Sequence, residues 1–360
     1  MERIFENPKR ILVTGGGGFI GGCLIRRLMN ESNVNVFNLD KCGYSSDFTW
    51  IDSINNKDKY QLIKINLTNS KQTNEAIEKI DPDLVIHLAA ESHVDRSIDN
   101  PKIFIESNII GTFNLLEALR KHWGKLNQSR QENFRFHHVS TDEVFGSLSD
   151  TGQFTEKTPY DPRSPYSASK ASSDHLVRAW YHTYGLPIVL TNCSNNFGPW
   201  QFPEKLIPVV ILKAVKEEEI PLYGNGQNIR DWLFVEDHID ALLKVAKNGK
   251  IGNCYCIGGH GEKTNKEIIL KICQILDKKL EKNFPHSELI NYVKDRPGHD
   301  KRYSIDSTLI SKELNWKPKN NLETNLEKTV DWYLKNLNWC KYILEKANYS
   351  GERIGLKSIK

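Results

Sequence analysis

The feature that most limits what this chain can become is Thr14-Gly15-Gly16-Gly17-Gly18-Phe19-Ile20-Gly21. It comes directly after a short apolar run, Arg10 to Thr14, and directly before an amphipathic stretch, Phe19 to Asn30. Gly15, Gly18 and Gly21 form a G-x-x-G-x-x-G pattern in the strand–turn–helix setting that such a pattern requires. Missing side chains let the backbone turn tightly and approach a pyrophosphate, and the helix start offers unpaired N–H groups and a partial positive charge. Asp40 ends the next apolar run, nineteen residues after Gly21. A carboxylate there accepts hydrogen bonds from the ribose hydroxyls of adenosine and repels a 2′-phosphate. The pair of signals predicts a dinucleotide site, with NAD favoured over NADP.

The same rhythm continues. Apolar runs at Val34 to Leu39, Gln61 to Ile65, Leu84 to Leu88, Phe134 to Val139 and Ile188 to Leu190 read as strands. Helical patterns lie near Lys71 to Ile80, Pro101 to Lys121 and Tyr166 to Tyr184. Near-continuous apolar strands alternating with helices predict an α/β fold with a parallel sheet covered on both faces, the doubly wound Rossmann arrangement. After Asn192 the rhythm breaks into turns, short helices and isolated strands. The expected organisation is a dinucleotide-binding Rossmann domain over 1–192, re-entered by the chain around 230–255, and a smaller mixed α/β substrate lobe over 193–360. The tail after Asn338 is expected to be peripheral.

With 39% hydrophobic and 26% charged residues, the chain has the composition of a globular protein rather than a disordered one. Its longest apolar stretch, Ile207 to Val215, is broken by Pro208 and Lys213, well short of the ~18 apolar residues of a membrane span. A net charge of +4 without basic blocks does not suit nucleic-acid binding. Met1 to Pro8 has no apolar leader, and the seven cysteines are odd in number and scattered. Both point to a cytoplasmic protein with reduced thiols. No His/Cys spacing suggests a metal, and His87 and His93 read more simply as hydrogen-bonding residues.

Three segments can carry chemistry. Tyr166 and Lys170 lie four apart at the start of a helix and so share a face. An ammonium near a phenol favours phenolate, which makes Tyr166 a base. Ser140-Thr141-Asp142-Glu143 stands at the carboxyl end of a strand, where open α/β sheets bind ligands. Two adjacent carboxyls in a dry cleft split into one protonated and one ionised group, an acid and a base. Asn195 and Asn196 follow a strand, while Arg230 and the stretch Asp295-Arg296-Pro297-Gly298-His299-Asp300-Lys301-Arg302-Tyr303 bring guanidinium forks suited to phosphate oxygens. Surface salt bridges are the plainer reading of those arginines.

Over about residues 9 to 335 the chain resembles the extended short-chain dehydrogenase/reductase family, in its NAD-dependent epimerase/dehydratase branch. The resemblance rests on Gly15 to Gly21, His87 to Ser97, Ser140 to Val144 and Ser164 to Lys170. It continues through Asn192 to Pro199, Gln201 to Pro208 and Asp295 to Asp300. The Asp142-Glu143 pair resembles the dehydratases, since related epimerases carry small residues there. The resemblance implies 4,6-dehydration of a nucleoside-diphosphate glucose for deoxysugar synthesis, with transient oxidation at carbon 4 by NAD. Catalytic roles fall to Thr141 (polarising the 4-oxygen), Asp142 (acid), Glu143 (base at carbon 5), Tyr166 and Lys170.

By the same resemblance, Gly15, Gly18, Phe19, Ile20, Gly21, Asp40, Asn66 and Leu67 contact the cofactor. So do Ala89, Ala90, Ser92, Ser107, Tyr166, Lys170 and Asn196. His93, Thr141, Asn195, Lys205, Leu206, Pro221 and Tyr223 face the nucleotide sugar, together with Arg230, Asn265, Asp295, Arg296, His299 and Tyr303. Three departures stand out: Asn66-Leu67 replaces the usual Asp-Ile or Asp-Leu pair, Lys41 to Asp47 differs from the usual loop, and Phe197 and Trp200 replace tyrosines. A homodimer packed through Pro101 to Lys121 and Tyr166 to Tyr184 is implied as well. A dTDP-sugar is the first expectation; a UDP-sugar, one methyl different, is the alternative. A sister epimerase or dehydrogenase and a turnover-free NAD-binding scaffold remain as further readings.

Overall fold

The computed structural model describes residues 9–281, 283–352 and 354. Met1 to Pro8, on which the absence of a leader was read, lie outside them.

Seven strands form one parallel sheet: β1 (Arg10–Thr14), β2 (Asn35–Asp40), β3 (Tyr60–Lys64), β4 (Leu84–His87), β5 (Arg135–Thr141), β6 (Ile188–Cys193) and, later in the chain, β10 (Cys254–Ile257). Their spatial order is β10-β6-β5-β4-β1-β2-β3. The alternation along β1 explains why the sheet is covered twice. Ile11 and Val13 join one hydrophobic cluster, with the helices Phe19–Glu31 and Val235–Asn248. Leu12 joins another, with Ser70–Ile80, Gly111–Lys125 and Pro165–Tyr184 on the opposite face. From β1 the chain winds outward to β3, then returns to β4 and winds the other way. The order reverses between β1 and β4, and the crevice outside those strand ends is where such sheets take ligands.

The smaller lobe contains β7 (Asn195–Phe197), β9 (Ile229–Phe234) and β11 (Glu262–Thr264) in one sheet, and β8 (Ile220–Tyr223) with β12 (Ile290–Val293) in another. Its core is built on the helices Leu206–Val215, Asn265–Lys279 and Leu322–Lys335. The chain returns to the large sheet through the helix Val235–Asn248 and β10, while Arg230 itself stays in the smaller lobe on β9.

The long helix expected over Pro101 to Lys121 runs to Lys125 and contains a π-helical turn at Ile105–Ile110. A π turn frees a backbone carbonyl. That of Asn108 accepts from the Ser173 hydroxyl at 2.6 Å. The Asn108 side chain also bonds the backbone of Glu91 through both ends, at 2.8 and 3.0 Å, and the hydroxyl of Ser169 at 2.8 Å. The irregular turn thereby fixes the loop after β4 to the helix that carries Tyr166.

The tail corrects an expectation. Its helix, Leu337–Lys346, is not peripheral: Cys340 and Ile343 are buried, and Trp339 packs with Trp200 and Trp332 at ring separations of 5.3 and 5.1 Å. The apolar spacing at 339, 340 and 343 is one face of a helix with a core to meet.

Candidate active site

At the switch point, Gly15 has φ +74°, and a Cβ there would lie 2.7 Å from the Ala89 backbone, so the turn after β1 seats directly on the segment after β4. Gly18 differs. Its φ is an ordinary −79°, and an added Cβ would meet, within 4 Å, the Gly15 carbonyl oxygen alone, at 3.2 Å. Backbone conformation does not demand glycine at 18, although a Cβ there would crowd the Gly15 carbonyl oxygen. The residue lines a cavity of about 510 Å³ and opens the helix Phe19–Glu31, so the missing side chain leaves a cradle at a helix N-terminus. Asp40 closes the far side. Its carboxylate accepts from the N–H of Gly17 (2.9 Å) and Cys42 (2.7 Å) and from the Ser46 hydroxyl (3.1 Å). This donor set fits a dinucleotide: a helix start without side chains for the pyrophosphate and a fixed acid for a ribose.

The acids stand at the end of β5, which runs to Thr141 and so carries that residue as its last member. A short 3-10 turn, Asp142–Phe145, follows, with the Thr141 hydroxyl accepting from the Glu143 N–H at 3.3 Å. Asn192 on neighbouring β6 donates to the Thr141 carbonyl at 3.0 Å. Asp142 is buried, Thr141 donates to one of its oxygens at 3.3 Å, and the other oxygen has no partner. Burial first, then the neighbouring Glu143 and Asp231, push its carboxyl well above the usual carboxylate range. Burial also raises Glu143, but Arg296, Lys205 and Arg230 oppose the rise. The two acids therefore divide: Asp142 is held more strongly towards its protonated form and Glu143 is the more readily ionised.

Tyr166 and Lys170 occupy the first turns of the helix Pro165–Tyr184, which begins with a reciprocal cap between Ser164 and Ser167 (3.0 and 2.9 Å) and Pro165 at its first position. Both side chains are buried. Tyr166 differs from the sequence expectation in one respect. Burial, and then the charge of Glu143, hold its phenol well above its ordinary pKa, with the hydrogen bond to Thr141 opposing them. Lys170 donates to the Val139 carbonyl at 3.0 Å, so its ammonium is anchored beneath the site by β5.

Facing these groups across the cavity are the cations of the smaller lobe. Arg230 lies over the Tyr303 ring at 4.3 Å and donates to the Asp300 carbonyl at 3.0 Å. Arg296 pairs with Asp95 at 2.8 Å, and Lys205 donates to the Ser92 carbonyl at 3.0 Å. His93 Nδ1, Asn195 Oδ1 and Arg296 Nε are buried without partners on this same wall. Unpaired buried polar atoms are costly, and a polyhydroxy, anionic ligand supplies what they lack.

Arg302, offered from sequence as a phosphate fork, instead pairs with Glu262 at 2.8 Å, and of the cofactor- and sugar-facing residues that the resemblance assigns, two do not line the cavity. Asp295 lies behind it, accepting from His299 Nδ1 at 2.6 Å, and Tyr303 lies under Arg230, its hydroxyl bonded to Asp300 at 2.5 Å. All the others do, including Asn66, Leu67, Ser107, Pro221, Tyr223 and Asn265. Sequence reasoning missed Tyr44, Phe202, Glu204, Trp339 and Tyr349, which close one end of the cavity. Tyr44 and Arg96 both bond Glu204, at 2.7 and 2.9 Å, and Arg96 lies over the Tyr44 ring at 4.0 Å. Phe202 and Glu204 lie in a stretch that carries the resemblance and Trp339 on a helix face, but no local pattern aims any of these side chains at the cavity. Among the described residues, no group of three or more His, Cys, Asp or Glu side chains is placed to hold a metal ion.

The family model described as GDP-mannose 4,6-dehydratase matches residues 12–329. A dTDP-glucose 4,6-dehydratase of Shigella flexneri is 50% identical to this chain, over 96% of it and 100% of the relative. Among solved structures, a dTDP-glucose 4,6-dehydratase from Bacillus anthracis in complex with NAD superposes with a TM-score of 0.82 at 40% identity, covering 93% of this chain and 100% of that one. Another, from Streptomyces venezuelae with NAD bound, gives 0.84 at 36% identity, covering 93% and 99%.

Proposed function

The chain belongs to the GDP-mannose 4,6-dehydratase family, and from that premise we propose that it dehydrates dTDP-glucose to dTDP-4-keto-6-deoxyglucose in deoxysugar biosynthesis, as a hydro-lyase using NAD. One observation carries the reading of the site: a buried Asp142 with one oxygen unpartnered, a cation-flanked Glu143 and the Tyr166–Lys170 couple line one cavity with the glycine cradle. An epimerase has no use for the two acids.

NAD, when bound, supplies the redox chemistry, accepting a hydride from carbon 4 and returning it at carbon 6. Gly15, Gly18, Gly21 and Asp40 are the residues to hold it. Tyr166 takes the proton of the 4-hydroxyl, and Thr141 donates to the 4-oxygen as it becomes a ketone. The ketone acidifies the hydrogen on carbon 5, and Glu143 removes it. Asp142 gives its proton to the departing 6-hydroxyl, which leaves as water. Glu143 then returns a proton to carbon 5. The proton gained by Tyr166 and the one lost by Asp142 exchange with solvent, so atoms and charge balance. Arg230, Arg296 and Lys205 suit the diphosphate and also moderate Glu143.

Incubation with dTDP-glucose in deuterated water, without added reductant, tests the reading by NMR. A 4-keto-6-deoxy product with deuterium at carbon 5 is expected; a 4-epimer, or no turnover, overturns it. We read the protein further as a homodimer. Ile103, Ile105, Ile110, Phe113 and Tyr184 are exposed apolar side chains on the two helices named from sequence, which supports a partner copy there. A sedimentation mass of one chain contradicts it. Seven unpaired cysteines support a cytoplasmic setting. No helix among the described residues is long and apolar enough to cross a membrane.

A further inference from the structure

Beneath the reacting wall lies a second ionisable cluster that the dehydration steps leave unused. At its centre is Asp174, one helical turn beyond Lys170 and fully buried. Four donors converge on its carboxylate. His138 Nε2 reaches one oxygen at 3.0 Å; the hydroxyls of Ser140 (2.7 Å) and Tyr160 (2.9 Å) and the Asn192 amide (3.4 Å) reach the other. They arrive from β5, from β6 and from the segment preceding the helix. Hydrogen bonds from hydroxyl, amide and imidazole groups on both oxygens favour the ionised form of this carboxyl. Burial works against that charge, but His138, Lys170 and Ser140 overcome it and hold the group below its ordinary range.

The neighbours are otherwise close to neutral. Burial pushes the His138 imidazole down to about 4 and the His87 imidazole well below its ordinary value, so neither carries charge near neutral pH. The Cys193 thiol, which faces Lys170 from β6, and the Cys254 thiol, which faces Asp174 from β10, are both pushed up by burial and stay protonated. Arg178, a turn beyond Asp174, is the other cation against this carboxylate. Lys170 donates to a backbone carbonyl, an uncharged acceptor. Burial draws its proton off, and Asp174 is the strongest influence in the opposite direction.

We propose that Asp174 is a positioning residue for the Tyr166–Lys170 couple, a fixed negative charge one turn behind Lys170 that keeps it an ammonium in a dry site. The proposal rests on the roles given above to Tyr166 and Lys170. It explains why three polar side chains and a histidine are spent on an acid that lines no cavity: they lock its charge and its place. The ammonium so maintained can stabilise the Tyr166 phenolate at the moment the 4-hydroxyl is deprotonated.

The test compares Asp174→Asn with Tyr160→Phe, which strips one donor but leaves the carboxylate. In purified holoenzyme, the pH profile of sugar oxidation is followed by the nicotinamide absorbance change. In Asp174→Asn the alkaline limb, where Lys170 loses its proton, is expected about one pH unit lower than in the wild type. In Tyr160→Phe it is expected at the wild-type pH, although both variants lose thermal stability. A merely structural Asp174 leaves the limb in place, or moves it equally in both variants, and either result overturns the proposal. A second measurement needs no variant of Asp174. The Lys170 amine is titrated by NMR in wild-type holoprotein, assigned with Lys170→Arg. Retention of its proton to pH values well above neutral, though below that of free lysine because of burial, supports the proposal. Loss near about pH 5–6, the value of an uncompensated buried lysine, overturns it. If Tyr166→Phe still oxidises the sugar, the assigned role of Tyr166 fails instead, and the lysine titration still decides what Asp174 does.

Discussion

The indole N–H of Trp339 donates to the carboxylate of Asp47 at 3.0 Å, across 292 residues of sequence. Lys346, on the same helix, donates to the Ser46 carbonyl at 2.7 Å. The loop they hold also supplies the Ser46 hydroxyl that bonds Asp40, so the end of the chain fastens the rim of the dinucleotide cradle.

Trp339→Ala is therefore expected to loosen the cofactor. Losing one hydrogen bond (~1 kcal/mol) and part of an aromatic cluster (~0.5–1.5 kcal/mol) is worth about a tenfold rise in the Kd for NAD. Calorimetric titration of NAD into stripped protein measures it. An unchanged affinity separates the tail from the cofactor.

Tyr166→Phe keeps the ring packed against Phe104 (6.3 Å between centroids) but removes the hydroxyl proposed to take the 4-hydroxyl proton. A fall of ~10²–10⁴-fold in sugar oxidation is expected, with dTDP-glucose binding little altered. Single-turnover absorbance and a separate binding titration distinguish the two.

The two acids are expected to fail at a later step. Glu143→Gln leaves oxidation at carbon 4 in place and slows elimination by ~10²–10⁴-fold, with deuterium exchange at carbon 5 suppressed. Asp142→Asn leaves that exchange running, because Glu143 is intact, while water loss slows. Exchange at the wild-type rate in Glu143→Gln removes it from the role of base.

Acid sensitivity follows from histidines buried in the neutral form. His137, bonded to the Thr191 hydroxyl at 3.1 Å, is pushed down to about 3 by burial, and His238 likewise to about 3. In the unfolded chain each titrates at about 6.5. Below that pH the unfolded state binds the extra proton and the folded state does not. Their contribution is complete above about pH 6.5 and is lost as pH falls towards about 3, at up to ~1.4 kcal/mol per pH unit for each group. His137→Phe is expected to lower the Tm at neutral pH, by leaving Thr191 unpaired, and to flatten its decline with acid. Thermal melts across that range read both; an unchanged slope contradicts the assignment.

How far the sequence reached depended on how local each signal was. Strand β1, the glycine turn and Asp40 are legible because a strand, a turn and a helix start write their requirements into adjacent residues. Tyr166 and Lys170 are legible because four residues make one helical turn. Thr141, Asp142 and Glu143 could be placed at a strand end, and the resemblance gave Asp142 as acid and Glu143 as base, but nothing in the local sequence shows why the two divide. That division comes from Arg230, Lys205 and Arg296, carried by a lobe that begins some fifty residues after the acids.

The sequence by itself determined the doubly wound sheet and the glycine turn with Asp40 at its switch point, since these follow from short-range periodicity and backbone geometry, while the reacting side chains were expected from the family resemblance. Only the tertiary structure decided that the tail closes the site, that Asp295 and Tyr303 stand behind it, and that Asp174 is buried inside a ring of donors. Burial and electrostatic field are sums over everything packed nearby, and no local pattern in the chain records them.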